Sequence, residues 1–114
     1  MEASALTNRS TPFKTDTEDI PGVGTITFRG MSRWELLEAS RIGEEHGTAA
    51  QEKFILHVCM VDPPLTEAEV KAWQMLPGSA GEIAPLQKKI NALSGIGKGA
   101  AKSDVPSDGV ESDA

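Results

Sequence analysis

From residue 32 to residue 94 apolar side chains recur every three or four positions, whereas just before that stretch Val23, Ile26 and Phe28 are set among glycines and two threonines. The first spacing is that of helices with one buried side, and the second is that of a short strand. Pro21 and Gly22 punctuate the chain ahead of the run GVGTITFRG, and Gly30 closes it. One strand is expected there, either an edge strand or half of a hairpin with the segment before it.

The helical part has well-marked boundaries. Ser32 and Glu35 form an S-x-x-E capping box, with Met31 and Leu36 at the positions of a hydrophobic staple. The helix they open carries Trp34, Leu37, Ala39 and Ile42 on its apolar side and Arg33, Glu38, Arg41 and Glu45 on its wet side. Gly43 and Gly47 weaken it, so it is expected to end near His46. Residues 49–61 begin polar and become apolar almost all round. Phe54, Ile55, Val58, Cys59 and Val61 predict a central, mostly buried helix, with a β-strand over FILHVCMV as the competing reading; Pro63 and Pro64 end either one.

Thr66 and Glu69 then repeat the capping box, and Leu65 and Val70 the staple, opening a helix over residues 67–76 with Val70, Trp73 and Leu76 as its inner stripe. A last helix is predicted over about residues 82 to 94 on Ile83, Leu86, Ile90 and Leu93. Pro85 suits only a first turn, which puts the start near Gly81, and Gly95 stands where a C-cap glycine is expected.

The two ends read differently from this middle. Residues 1–20 mix Ser, Thr, Asp and Glu with almost no periodic apolar signal and are expected to form a flexible acidic arm. Residues 96–114 read as a flexible acidic tail, with four acids and no base from residue 104 onward. The expected fold is therefore mainly α: a small bundle of about four helices, with one short N-terminal β-strand or hairpin and flexible termini, forming one domain over residues 21–95.

Composition narrows the function. Aromatics are 4% of the 114 residues and tyrosine is absent, so the core must rest on Leu, Ile, Val, Ala and two Trp. A net charge of -6 opposes attraction to nucleic acid or anionic lipid, both of which are held mainly by Lys and Arg. No segment approaches the roughly 18 apolar residues that span a bilayer, and no basic start followed by an apolar stretch marks an export signal. The single cysteine, Cys59, fits a reducing compartment.

Few residues are arranged for chemistry. GIGKGAAKS, residues 95–103, resembles a phosphate-binding loop, but Ala101 and Ile96 stand where a P-loop needs glycine. A G-x-G-x-x-A match remains at Gly95, Gly97 and Ala100, with a helix entering and a tail leaving, the reverse of the strand-to-helix context that aims N–H groups at phosphate. His57, Cys59 and Asp62 supply three metal-ligand types without a fourth, and on a helix residues 57 and 59 point to different sides. His46 as a base for Cys59 has no support in spacing. Glu44, Glu45, Glu67 and Glu69 lie at helix ends, where they read as solubilising charges that, for Glu67 and Glu69 at a helix start, also match the dipole. No enzyme, metal or cofactor is expected.

The order GTITFRGMSRWELLE, EKFILHVCMVDPPLTEAEVKAW, GEIAPLQKKINALSGIGKG resembles the tail assembly chaperones of long-tailed bacteriophages, particularly those of actinobacterial phages and prophages. The likeness covers about residues 22 to 99, and its most family-like element is DPPLTEAEVKAW, Asp62 to Trp73. It implies a non-enzymatic protein of the host cytoplasm that coats the aggregation-prone tape measure protein during tail assembly and is absent from the mature virion. It also implies further partners: a longer form of the chain itself made by ribosomal frameshifting, for which Gly97-Lys98 is a candidate place, and other tail proteins.

An acidic helical domain with an apolar groove suits the reversible binding of amphipathic helices independently of that family. Trp34, Leu37, Val70 and Trp73 are the expected hydrophobic contact region, and the same four residues are also expected in the core. The leading alternative is a small structural tail or connector protein forming oligomeric rings. A helix-turn-helix regulator is a weaker one, because its would-be recognition helix EAEVKAWQML carries one Lys and two Glu.

Overall fold

A computed structural model describes residues 1–95. The predicted tail, the candidate frameshift position Gly97-Lys98 and most of GIGKGAAKS lie outside the described residues. Within them the chain runs α1 (Ala3–Thr7), β1 (Thr15–Ile20), β2 (Gly24–Arg29), α2 (Arg33–His46), α3 (Thr48–Cys59), β3 (Met60–Asp62), α4 (Glu67–Gln74) and α5 (Ser79–Leu93). The strands form one antiparallel sheet in the order β1-β2-β3.

The helical majority is as expected, but the β-structure is more than an N-terminal strand or hairpin. β1 lies in the segment read as a loose arm and pairs with β2 from Thr15 opposite Arg29 to Ile20 opposite Gly24. Pro21 and Gly22 turn the hairpin, with the Val23 N–H donating to the Ile20 carbonyl at 2.9 Å and Gly22 at φ +81°, a type II arrangement. β3 arrives on the far side of β2, placing Asp62 opposite Thr27 and Met60 opposite Phe28.

β3 also divides the two readings of residues 49–61 between them. The helix runs to Cys59, and the backbone of Met60 then opens into the extended region and joins the sheet. Gly47, at φ +96°, is the one residue between α2 and α3. It accepts the Gln51 N–H on one side and donates to the Gly43 carbonyl on the other, so both helices keep their end bonds across a sharp corner.

Both capping boxes form as read from the sequence. The Ser32 and Thr66 hydroxyls accept from the N–H groups of Glu35 and Glu69, whose carboxylates accept in return from Ser32 and Thr66. α4 ends at Gln74, two residues early, because Pro77 disfavours helical geometry at the residue before it, and the buried Ser79 hydroxyl donates to the Gln74 carbonyl so freed, at 3.0 Å. Leu76 is thereby moved out of the inner stripe. α5 starts at Ser79 instead of Gly81, so Pro85 is inside the helix and beyond its first turn. The backbone bond it removes is the one to the Gly81 carbonyl, and both residues are on the exposed side, where water satisfies that oxygen.

The core is built where the sheet meets the helices. Phe28 of β2, Leu56 and Cys59 of α3, Val70 of α4, and Leu86 and Ile90 of α5 are fully enclosed. Each of the large apolar side chains among them contributes on the order of 1.5 to 3 kcal/mol by burial. α5 lies across β1 and β2, and α3 packs against both α2 and α4.

At Gly30 the end of β2 passes so close to the end of α5 that an added Cβ would sit 2.7 Å from both the carbonyl carbon and oxygen of Leu93. Those are backbone atoms and cannot swing aside. Gly30→Ala is therefore expected to cost roughly 1 to 3 kcal/mol. Gly81→Ala, on an exposed helical turn with open space around it, should add up to about 1 kcal/mol. Urea unfolding of both variants checks the contrast; equal stabilities would contradict the close approach.

Candidate partner-binding surface

The residue types that suggested chemistry are dispersed by the fold. His57 is exposed on α3, and its Nδ1 lies 2.7 Å from the Leu65 carbonyl oxygen, which fixes that nitrogen as a donor. Cys59, two residues on, has no accessible surface, and burial pushes its thiol up to about 12. A thiolate there would have neither water nor a route to substrate, whatever the position of His46. Asp62 is exposed at the end of β3. Among the described residues no group of three His, Cys, Asp or Glu side chains is placed to hold a metal ion.

Of the four glutamates at helix ends, Glu45 and Glu69 are engaged in structure. Glu45 takes a hydrogen bond from Arg41 at 2.8 Å, and Glu69 closes its capping box. Glu35 accepts both guanidinium N–H groups of Arg29 at 3.0 Å, and that pairing holds its carboxyl below the usual range. The Arg29 guanidinium in turn lies 4.0 Å over the Phe13 ring.

The four expected contact residues separate into two pairs. Trp34 and Leu37 stand outward on α2, 67% and 52% exposed, so the core reading of both is corrected. At about 100° per residue Leu36 and Ala39 form one side of the helix, and Trp34 and Leu37 lie well around from it. The inner side rests on the core, and the wider apolar arc leaves two large side chains in solvent. On α4, Val70 is fully enclosed and unavailable to a partner, which corrects its place in the contact region. Trp73 is half-buried against the core and donates its indole N–H to Glu82 of α5 at 2.8 Å.

Trp73 forms one wall of an open apolar groove of about 240 Å³, where the hairpin tip, the exit from β3 and the end of α4 meet. Ile20 and Ile26 form its floor. They project from the same face of the sheet as Phe28, because Glu18, the cross-strand partner of Ile26, is two residues from Ile20. Val23 and Leu76 stand at the rim, 74% and 58% exposed. Glu69 and Glu82 complete the wall, and among the described residues no Lys or Arg lines it.

Of these residues the sequence pattern marks Trp73 as a contact and assigns Leu76 to the inner stripe. Val23 is visible there as a bare valine at a Pro-Gly turn, but its closeness to Leu76 depends on how the sheet packs. No helix among the described residues is long and apolar enough to cross a membrane. Searches against protein-family models, curated proteins and solved structures returned no match.

The thiol of Cys59 supplies a pH test of this packing. Unfolded, it ionises near pH 8.5; folded, burial delays ionisation to about 12. A group raised in this way lends its full stability below the unfolded value and loses it as pH rises toward the folded one. Between those limits native stability should fall by up to about 1.4 kcal/mol per pH unit more than in Cys59→Ala. Parallel urea midpoints across that range for the two proteins would contradict an enclosed thiol.

Proposed function

We propose that this chain is a bacteriophage tail assembly chaperone, which binds the tape measure protein in the host cytoplasm during tail construction and keeps it dispersed without catalysis. The observation that carries the reading is apolar surface left uncovered on an acidic chain: Trp34 and Leu37 on α2, and the groove beside Trp73, in a protein of net charge -6. A partner helix laid on either surface would bury carbon that now faces water, at about 25 cal/mol per Å². The excess negative charge would hold the loaded complexes apart. The likeness of residues 22–99 to that family supports the same reading.

The outer edges of β1 and β3 have no strand partner among the described residues, and this suits the alternative of a ring-forming tail or connector protein. Against it, β1 is an acidic edge strand in which Asp16, Glu18 and Asp19 face a single paired cation, Lys89.

Co-expression separates the readings. A tape measure fragment that precipitates alone should remain largely soluble with the chain present, and should lose most of that protection when the exposed pair is replaced by Trp34→Ser and Leu37→Ser. Equal precipitation with and without the chain overturns the chaperone reading. Rings of the purified chain that persist in mature particles would establish the alternative.

A further inference from the structure

We infer that the groove between the hairpin tip and α4 is a docking site for a cationic amphipathic helix of a partner protein, with Glu69 and Glu82 selecting its charge. This rests on reading the chain as a binding protein and specifies what it grips. At about 240 Å³ the cavity is below the roughly 300 to 1,000 Å³ of sites that enclose small molecules. It has room for one or two large side chains delivered by a polypeptide. The sheet offers the groove its face, through Ile20 and Ile26, and not a free backbone edge. Recognition is therefore by side-chain anchors at helical spacing and not by strand addition.

Charge decides among the possible occupants. One oxygen of Glu69 takes the Thr66 N–H and one oxygen of Glu82 takes the Trp73 indole N–H. Each carboxylate keeps a second oxygen for an incoming donor. With no Lys or Arg in the wall to offset them, these oxygens favour a helix that carries Lys or Arg beside its apolar anchors. The chain's own residues 104–114, with four acids and no base, would meet like charge. A second copy would bring net charge -6 and, across a two-fold axis, the same two carboxylates.

The test uses the full chain carrying Trp34→Phe, which leaves Trp73 as its only tryptophan. The probes are two synthetic amphipathic peptides of about 18 residues, long enough for five turns, with the same leucine face and either lysine or glutamate flanking it. Titration followed by Trp73 emission should show the lysine peptide binding about tenfold or more tightly than the glutamate peptide, as two partly desolvated charge pairs would give.

Glu69→Gln with Glu82→Gln should bring the two peptides within about twofold of each other, close to the discrimination left by long-range charge alone at physiological salt. Gln retains an acceptor for both internal hydrogen bonds, including the capping box, so the fold is kept. Equal binding of the two peptides, or discrimination that survives the double variant, overturns the assignment. So does peptide-free emission that shifts with protein concentration, which would mean a second copy in the groove, or acrylamide quenching of Trp73 that increases when residues 96–114 are removed, which would mean its own tail. If the peptides behave as expected while the tape measure fragment still precipitates, the groove stands and the chaperone reading falls. A fragment kept soluble by the double variant as well as by the parent, with no peptide discrimination, leaves the chaperone reading standing and removes the groove as its charge-selecting site.

Discussion

Between the last residue of β2 and the first turn of α2, four consecutive residues tie the chain to two helices, the start of α2 and the end of α5. Arg29 places both guanidinium arms on Glu35, and Gly30 lies against the backbone of Leu93 and Ser94. The Met31 N–H donates to the Ser94 hydroxyl, which donates onward to the Ile90 carbonyl, while Ser32 caps α2. The absence of a side chain at Gly30 allows this corner to close, because the C-terminal end of α5 occupies the space a Cβ would need. With that contact made, α5 is held across the sheet, Phe28 is sealed beneath it, and α2 leaves at a fixed angle toward α3. The Arg29 and Glu35 pair then adds charge-assisted bonds to the start of α2, at a partly buried site where they are worth more than in open water.

The parts of this architecture legible in the sequence are those decided within a few residues. Ser32 with Glu35 and Thr66 with Glu69 are local hydrogen-bonding devices, and they appear where the pattern puts them. Gly95 takes φ +86° at the end of α5, as a cap glycine should. β1 is hidden because it has little hydrophobic pattern to read: of Thr15 to Ile20 only Ile20 is buried, and the strand is held by the ladder to β2 and by the Lys89 bond to Glu18. Its order comes from a neighbour, not from its own composition. β3 is hidden for a related reason, being three residues long and continuous with a helix that accounts for the same apolar run.

The surface is legible in kind but not in place. Trp34 and Leu37 stand in solvent, as residues of a contact region must, yet the apolar stripe that the pattern draws on α2 is too wide, since a short helix against a modest core can bury only one side. Trp73 is visible in the sequence too, but Ile20, Val23 and Leu76 come from separate parts of the chain and converge only through sheet and helix packing. Periodicity assigns Leu76 to an interior stripe, and the proline that follows it ends the helix early enough to leave it at the rim.

The indole of Trp73 carries the one side-chain N–H in the groove wall, and Glu82 already occupies it. For the helix proposed to dock there, bulk, oiliness and sign of charge would be the grounds of selection, with no particular acceptor required of it. A surface with so few demands has little reason to prefer one stretch of a long repetitive polypeptide over the next. On the proposed chaperone reading, many copies could line up along such a chain in neighbouring registers.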